Sequence, residues 1–148
     1  ASTNADWYLF AGDMTALPAI AVNLEKLSPE SEGLALIEIN SPEDKQELTK
    51  PQGVDVEWIL NPDPLNGCHD LIAALEGVKW KGQNPYAWVA GEFELMRCAR
   101  KLIKHERSFP KESMYLSCYW KIGADDPGMK KAKAALLFLD SIKNLFRF

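Results

Sequence analysis

The fold is decided near the start of the chain, by the stretch Asp6-Trp7-Tyr8-Leu9-Phe10-Ala11-Gly12-Asp13-Met14-Thr15-Ala16-Leu17-Pro18-Ala19-Ile20. Its first half is an apolar run, which predicts a buried β-strand, and Gly12-Asp13 predicts a turn that leads directly into a helix. Thr15 is a favourable N-cap, and Pro18 lies in the first helical turn, where its missing N–H costs no hydrogen bond. A strand-turn-helix junction presents backbone N–H groups and the positive end of the helix dipole to an anion, most often a phosphate. A purely structural turn is the alternative. The amides predicted to face the anion are those of Thr15, Ala16 and Leu17.

Apolar segments and helical periodicity alternate along the rest of the chain. The predicted strands span residues 7–11, 34–39, 54–60, 86–90 and 114–120. Helices are predicted over residues 16–27 and 68–78, and a third begins near Glu92. This alternation predicts an α/β fold, with an open parallel five-stranded sheet flanked by helices on both faces. The segment 41–53 is the exception, because its prolines, glycine and charges predict an irregular crossover.

The predicted strand ends indicate where a ligand binds. In open parallel sheets, ligands bind beyond the carboxyl ends of the strands, where the strand order reverses. Residues 12–15, 91–92 and 119–121 all follow or end predicted strands. The secondary-structure pattern therefore predicts that these three segments form the site.

If the ligand is a nicotinamide dinucleotide, the residues after the second strand bear on the choice between NADH and NADPH. An acidic residue here hydrogen-bonds the ribose of NADH, whereas a basic residue accommodates the 2′-phosphate of NADPH. Glu38 favours NADH if its side chain points into the crevice, and Ser41 and Lys45 favour NADPH. The alternation of the strand leaves both possibilities open.

Composition excludes several classes of protein. The chain has 148 residues, a net charge of −4 and a pI near 5.2 without a dominant basic stripe, which argues against a nucleic-acid partner. The three cysteines are far apart and the two histidines do not complete a ligand set, so we predict no metal site. No apolar run is long enough to span a bilayer, and we expect a soluble, cytoplasmic protein. The motifs Gly-x-Ser-x-Gly of α/β-hydrolases and Gly-x-Gly-x-x-Gly of dinucleotide-binding dehydrogenases are both missing.

Three motifs in register resemble the siderophore-interacting proteins, which are flavin-dependent ferric-siderophore reductases. The first is Gly-Asp-x-Thr-Ala-Leu-Pro-Ala-Ile at residues 12–20, and the second is Val-Ala-Gly-Glu at residues 89–92, followed by Arg97 and Arg100. The third is Tyr-Trp-Lys-x-Gly at residues 119–123. Met14 stands where the family usually has an acidic residue, and Cys118 replaces a glycine. The resemblance covers residues 6–123.

The resemblance implies a ferredoxin-reductase-like nucleotide-binding domain over residues 1–123, which binds NADH or NADPH. In the family, a β-barrel that holds FAD precedes this domain, and we expect the present chain to lack it and to hold little flavin alone. Lys121 then attracts the ferric siderophore, since these chelates are commonly anionic. No side chain is assigned a catalytic role, because the cofactors carry out the hydride chemistry. The residues implied in cofactor binding are Gly12, Asp13, Thr15, Ala16, Leu17, Gly91, Glu92, Tyr119 and Trp120.

Each of these assignments has an alternative. Glu92 is also suited to complement the dipole of the helix that follows it, Tyr119 and Trp120 are also suited to core packing, and most lysines are simply solvated. The whole domain could be a non-catalytic nucleotide-binding or interaction module. It could also belong to a reductase of the ferredoxin-reductase type that uses another acceptor.

The last 25 residues, 124–148, form a predicted helical extension. Apolar side chains recur at helical spacing from Met129 to Phe146, with lysines largely off that stripe. We expect this amphipathic helix to pack on its own domain. The alternatives are that it binds a membrane surface, covers a site shared with another domain, or mediates self-association.

Overall fold

The computed structural model describes residues 4–123 and contains one five-stranded, fully parallel sheet. The strands lie in the order β3-β2-β1-β4-β5, so the two crossovers that follow β1 and β3 run in opposite directions. The predicted α/β fold is confirmed. The strands are β1 (Trp7–Gly12), β2 (Glu32–Ile39), β3 (Gly53–Leu60), β4 (Pro85–Glu92) and β5 (Met114–Trp120).

Three α-helices connect these strands. They are α1 (Leu17–Lys26), α2 (His69–Glu76) and α3 (Phe93–Ala99), and α3 continues as a π-helical segment, Arg100–Glu106. Short 3-10 turns occur at Pro42–Asp44, Pro64–Asn66 and Lys111–Ser113. The crossover between β2 and β3 is irregular apart from the first of these turns, as predicted. The predicted helix over residues 129–146 lies outside the described residues.

The two faces of the sheet are covered by different helices. Alternate residues of each strand point to opposite faces, so Leu9 of β1 packs against α2 and α3, while Phe10 packs against α1. Both side chains are fully buried. Burying a side chain of this kind stabilises the fold by roughly 1.5–3 kcal/mol. Because both faces of β1 and β4 are covered, these strands form the centre of the core, as expected for a parallel sheet.

The third helix buries the stripe that its periodicity predicts. Leu95 and Ala99 of α3 and Ile103 of the π-helical segment are fully buried, and Leu102 packs partly against the same cluster. The arginines and lysines between them are exposed. The helix therefore packs against this face of the sheet through apolar side chains.

Candidate functional site

The strand order brings the three predicted segments to one edge of the sheet. β1, β4 and β5 are neighbours, and Gly12 is the register partner of Ala90, while Gly91 is the partner of Cys118. All three strands are parallel, so their carboxyl ends meet. We call the region formed by residues 12–15, 91–93 and 119–122 the carboxyl edge.

Asp13 is the hub of the carboxyl edge. Its carboxylate is buried, with the residue only 4% exposed, and accepts hydrogen bonds from three different segments. Oδ1 accepts from the amide and the hydroxyl of Thr15, at 3.0 and 2.5 Å. Oδ2 accepts from the amide of Glu92 at 3.0 Å and from the indole Nε1 of Trp120 at 2.8 Å. A single side chain therefore ties the turn after β1 to the ends of β4 and β5.

The structure corrects the prediction that Thr15 caps α1. Ala16 occupies the N-cap position in a helical conformation, and no side chain makes a capping bond there. The Thr15 hydroxyl bonds to Asp13 instead. The three amides expected to face an anion also donate within the turn. That of Thr15 bonds to the Asp13 carboxylate, and those of Ala16 and Leu17 bond to the Asp13 carbonyl. All three amides therefore already have an acceptor within the protein.

Glycine at position 91 is required by this carboxylate. Gly91 has φ +147°, and a Cβ added there would lie 2.7 Å from Oδ2 of Asp13. Gly12 is similarly confined, since a Cβ there would lie 2.7 Å from Cβ of Ala16 and 2.8 Å from the carbonyl oxygen of Ala90. Both glycines permit close packing within the protein itself.

Glu92 is a second buried carboxylate at this edge, 2% exposed. It is the N-cap of α3, and Oε2 accepts from the amide of Glu94 at 2.6 Å. Oε1 accepts from the amide of Ile122, just beyond β5, at 3.1 Å. The predicted complement to the helix dipole is therefore present, and the same carboxylate also fixes the chain after β5.

The two aromatic residues at the end of β5 differ in their surroundings. Tyr119 is 7% exposed and lies in the cluster on the α1 face, where burial raises the pKa of its phenol. Trp120 is half-buried, with its Nε1 bonded to Asp13. Of the two rings, that of Trp120 is the more accessible to a ligand.

Lys121 lies between two residues that are bonded to buried carboxylates. Trp120 before it is bonded to Asp13, and Ile122 after it is bonded to Glu92. Its side chain is exposed, and Nζ lies 4.5 Å from the centroid of the Phe93 ring. The sequence analysis missed Phe93. The only sign of it in the sequence is an apolar residue directly after Glu92, the N-cap of α3.

Glu38 does not face the crevice as an open ribose ligand. The residue is 2% exposed, and Oε2 has no hydrogen-bond partner among the described residues. The pKa of the carboxyl is raised to about 7, mainly because burial penalises its charged form. A hydrogen bond from Asn61 lowers the pKa, whereas the negative charges of Asp13, Asp70 and Glu92 raise it. Cys68 lies nearby, and burial, followed by the charge of Glu38, raises the pKa of its thiol to about 12.

The residues that would favour NADPH are less buried. The hydroxyl of Ser41 bonds to the carboxylate of Glu43 and caps the 3-10 turn that follows β2, while Lys45 is exposed. Sequence reasoning could not foresee that the end of β2 would be covered at Glu38, because this depends on where α2 docks.

Comparison with known proteins decides the family. Residues 5–123 match the family model described as siderophore-interacting protein. The chain belongs to the siderophore-interacting protein family. Over 124 residues it is 32% identical to the ferric vibriobactin reductase ViuB of Vibrio cholerae, covering 82% of this chain and 45% of that protein. It is 35% identical over 142 residues to an uncharacterised protein of Mycobacterium tuberculosis, covering 89% of this chain and 50% of that protein.

Solved structures of siderophore-interacting proteins have the same fold. SipS from Aeromonas hydrophila superposes with a TM-score of 0.73 at 26% identity, over 90% of this chain and 53% of that one. A siderophore utilization protein from T. fusca gives 0.76 at 27% identity, over 83% and 48%. The chain therefore spans about half the length of the relatives and structures that it matches.

Other features of residues 4–123 lie away from the carboxyl edge. A groove of about 680 Å³ lies at the opposite edge, where β2 and β3 begin, and contains acidic side chains and two lysines. In these residues no group of three or more histidine, cysteine or acidic side chains is placed to hold a metal ion. None of the described helices has the length and apolar character to cross a membrane.

Proposed function

We propose that this domain is the NAD(P)H-binding half of a cytoplasmic flavin-dependent reductase that releases iron from ferric siderophores. The observation that carries the proposal is the convergence of the three family motifs on the carboxyl edge. Both the turn after β1 and the ends of β4 and β5 are held there by Asp13. The partner domain is an upstream β-barrel that holds FAD, in keeping with the longer relatives.

The groups at the carboxyl edge fit an anionic ligand with a flat ring. The exposed Thr15 lies beside the N-terminus of α1, and the exposed Lys121 lies beside the half-buried Trp120. The carboxylates of Asp13 and Glu92 are buried and accept hydrogen bonds from backbone and indole N–H groups, so they are not presented directly to a ligand. The amides of the turn are already bonded, so a pyrophosphate is held through the helix dipole and Thr15 rather than by a free row of amides.

Each residue of the edge has a limited task in this scheme. When bound, NAD(P)H and FAD supply hydride and electron transfer, and the protein positions them. Gly12, Ala16 and Leu17 shape the turn, and Gly91 lets β4 approach Asp13. Trp120 packs against a ring of the cofactors, and the buried Tyr119 supports it. Lys121 binds the iron chelate as an anion, so iron itself needs no protein ligand.

Burial of Glu38 and exposure of Lys45 together favour NADPH over NADH in this proposal. An acidic group must reach the ribose hydroxyls to select NADH, and the Glu38 carboxyl is covered. Lys45 remains exposed beyond the end of β2, where it can approach a 2′-phosphate.

The proposal is tested on the whole protein that carries this domain, including its upstream region. Its visible spectrum is recorded anaerobically before and after NADH or NADPH, and again after a ferric siderophore. Flavin bands that bleach with a nucleotide and recover with the chelate support the reductase. Bleaching without recovery identifies a reductase with another acceptor, and a colourless protein identifies the binding module.

Substitution of Thr15 tests whether the turn after β1 binds NAD(P)H. We expect Thr15→Val to weaken binding of NAD(P)H several-fold, and to lower the free energy of unfolding by only about 1 kcal/mol, because one hydrogen bond to Asp13 is lost. Titration of nucleotide into the domain by calorimetry measures the first effect, and urea unfolding the second. Thr49→Val, at an exposed loop position, is the control and should change neither. Unchanged nucleotide affinity in Thr15→Val would remove Thr15 from the site.

Reversal of the charge at position 121 tests whether Lys121 binds the anionic iron chelate. We expect Lys121→Glu to raise KM for an anionic ferric chelate about tenfold at low salt, because a steering cation becomes an anion. KM for NAD(P)H should change less, and the difference should shrink as salt screens the charge. Lys101→Glu, on the exposed side of the π-helical segment, is the matched control. Equal effects on both KM values would contradict a substrate role for Lys121.

A further inference from the structure

Lys121 is held in place through its backbone neighbours. The indole of Trp120 donates to Asp13, and the amide of Ile122 donates to Glu92, and both carboxylates are almost fully buried. The backbone on each side of Lys121 is therefore fixed relative to β1 and β4. What remains to be fixed is its long and flexible side chain.

Phe93 supplies that last contact. It is the first residue of α3, directly after the N-cap Glu92, and its ring is partly exposed. The ammonium of Lys121 lies 4.5 Å from the centroid of this ring, within the range of a cation–π interaction. Because Glu92 also holds the amide of Ile122, the same α3 N-terminus determines both where the chain runs and where the ammonium lies.

The ring holds the ammonium without neutralising it. The ion pair found in the described part of the chain joins Arg97 to Glu94 and does not involve Lys121. An aromatic face attracts a cation but adds no opposite charge, so N–H donors of the ammonium remain directed to solvent. A carboxylate at the same place would reduce the positive charge that an anionic chelate meets.

We propose that Phe93 is a positioning residue, which presents the Lys121 ammonium to an anionic iron chelate and thereby sets the preference for anionic over neutral substrates. The inference rests on the proposed function and adds a specificity-determining residue to it. Loss of the ring frees the lysine side chain, and the anion must then order it on binding.

The test compares Phe93→Leu with Phe93→Tyr in the whole reductase, with a ferric tris-catecholate as the anionic substrate and ferric tris(acetohydroxamate) as the neutral one. We expect Phe93→Leu to raise KM for the catecholate about two- to five-fold, the range of an exposed cation–π contact. KM for the neutral chelate, KM for NAD(P)H and kcat should stay within twofold. Phe93→Tyr keeps an aromatic face and should retain the wild-type KM values.

A double mutant separates positioning from general damage to the site. On a Lys121→Gln background, Phe93→Leu should have no further effect on KM for the catecholate, because the cation is already gone. Additive effects, or equal losses for both chelates, would overturn the inference. If Phe93→Leu does not fold, Phe93→Met takes its place in the same cycle. A wild-type protein that reduces neither chelate would instead contradict the proposed function.

Discussion

Replacement of Asp13 by asparagine should lower the free energy of unfolding by about 2–5 kcal/mol. An asparagine has one acceptor oxygen, whereas the carboxylate offers two, and each accepts two hydrogen bonds. The amide is best placed with its NH₂ group toward Thr15, whose hydroxyl can accept from it, so that the Thr15 amide loses its acceptor. The two bonds to the remaining oxygen, from Glu92 and Trp120, lose the strength that a charged acceptor gives them. A buried donor without a partner costs about 1–3 kcal/mol. Thermal unfolding should show a fall in Tm of roughly 6–20 °C.

The control for Asp13→Asn is the same substitution at an exposed strand position. Asp55 lies in β3 and is exposed, so Asp55→Asn should change stability by less than about 0.5 kcal/mol. A double-mutant cycle with Trp120→Phe measures how much of the loss in stability comes from the bond between the Trp120 indole and Asp13. Because this change removes the indole N–H that bonds to Oδ2, the Asp13→Asn penalty should fall by about 1 kcal/mol or more. Full additivity would show that the indole contact contributes no stability.

The architecture of the sheet was predictable because it depends on local patterns. The predicted bounds of β5, residues 114–120, coincide with the observed strand. β4 was predicted to stop at Ala90, since a glycine usually ends a strand. It instead continues through Gly91 to Glu92, with an irregularity in its register against β5. Glycine is needed at this position both for its positive φ and for the Asp13 carboxylate beside it, and the second reason depends on a contact that the sequence does not show.

The contacts of the site were not predictable from local patterns. Asp13 is recognisable as a turn residue, which explains its bonds to Thr15 two positions later. Its bonds to Glu92 and Trp120 cross 79 and 107 positions of sequence. They depend on β4 and β5 lying beside β1, and a sequence pattern does not give strand order. For this reason the role of Asp13 in joining the ends of three strands was not predicted.

The burial of Glu38 has the same origin. Alternation along β2 places Glu38 on the face of Leu36, but it does not tell whether α2 covers the end of that face. Cys68, at the N-cap of α2, lies close enough for the Glu38 charge to raise the pKa of its thiol. Because α2 docks near this end of β2, the carboxyl group that the sequence suggested as a ribose ligand is buried.

Stability should fall as the pH rises from about 4.5 to about 7, through the titration of Glu38. The pKa of this carboxyl is raised to about 7 in the folded protein, so the folded state keeps a proton that the unfolded state has already lost. When the unfolded state binds fewer protons, the free energy of unfolding decreases with pH. The contribution of Glu38 is thus fully present below pH 4.5 and lost above pH 7. From a shift of this size, the loss amounts to roughly 3 kcal/mol.

Replacement of Glu38 by glutamine isolates the contribution of this carboxyl to the pH dependence of stability. Glutamine has nearly the same shape and no charge, so Glu38→Gln should match the wild type near pH 4.5 and exceed it by roughly 3 kcal/mol at pH 8. Urea unfolding at several pH values, for the variant and the wild type, gives the difference in the free energy of unfolding as a function of pH. Glu57→Gln, at an exposed position of the neighbouring strand, should give a flat curve. A flat curve for Glu38→Gln as well would mean that the carboxyl titrates as if it were in water, and the buried, unpartnered oxygen would have to be solvated.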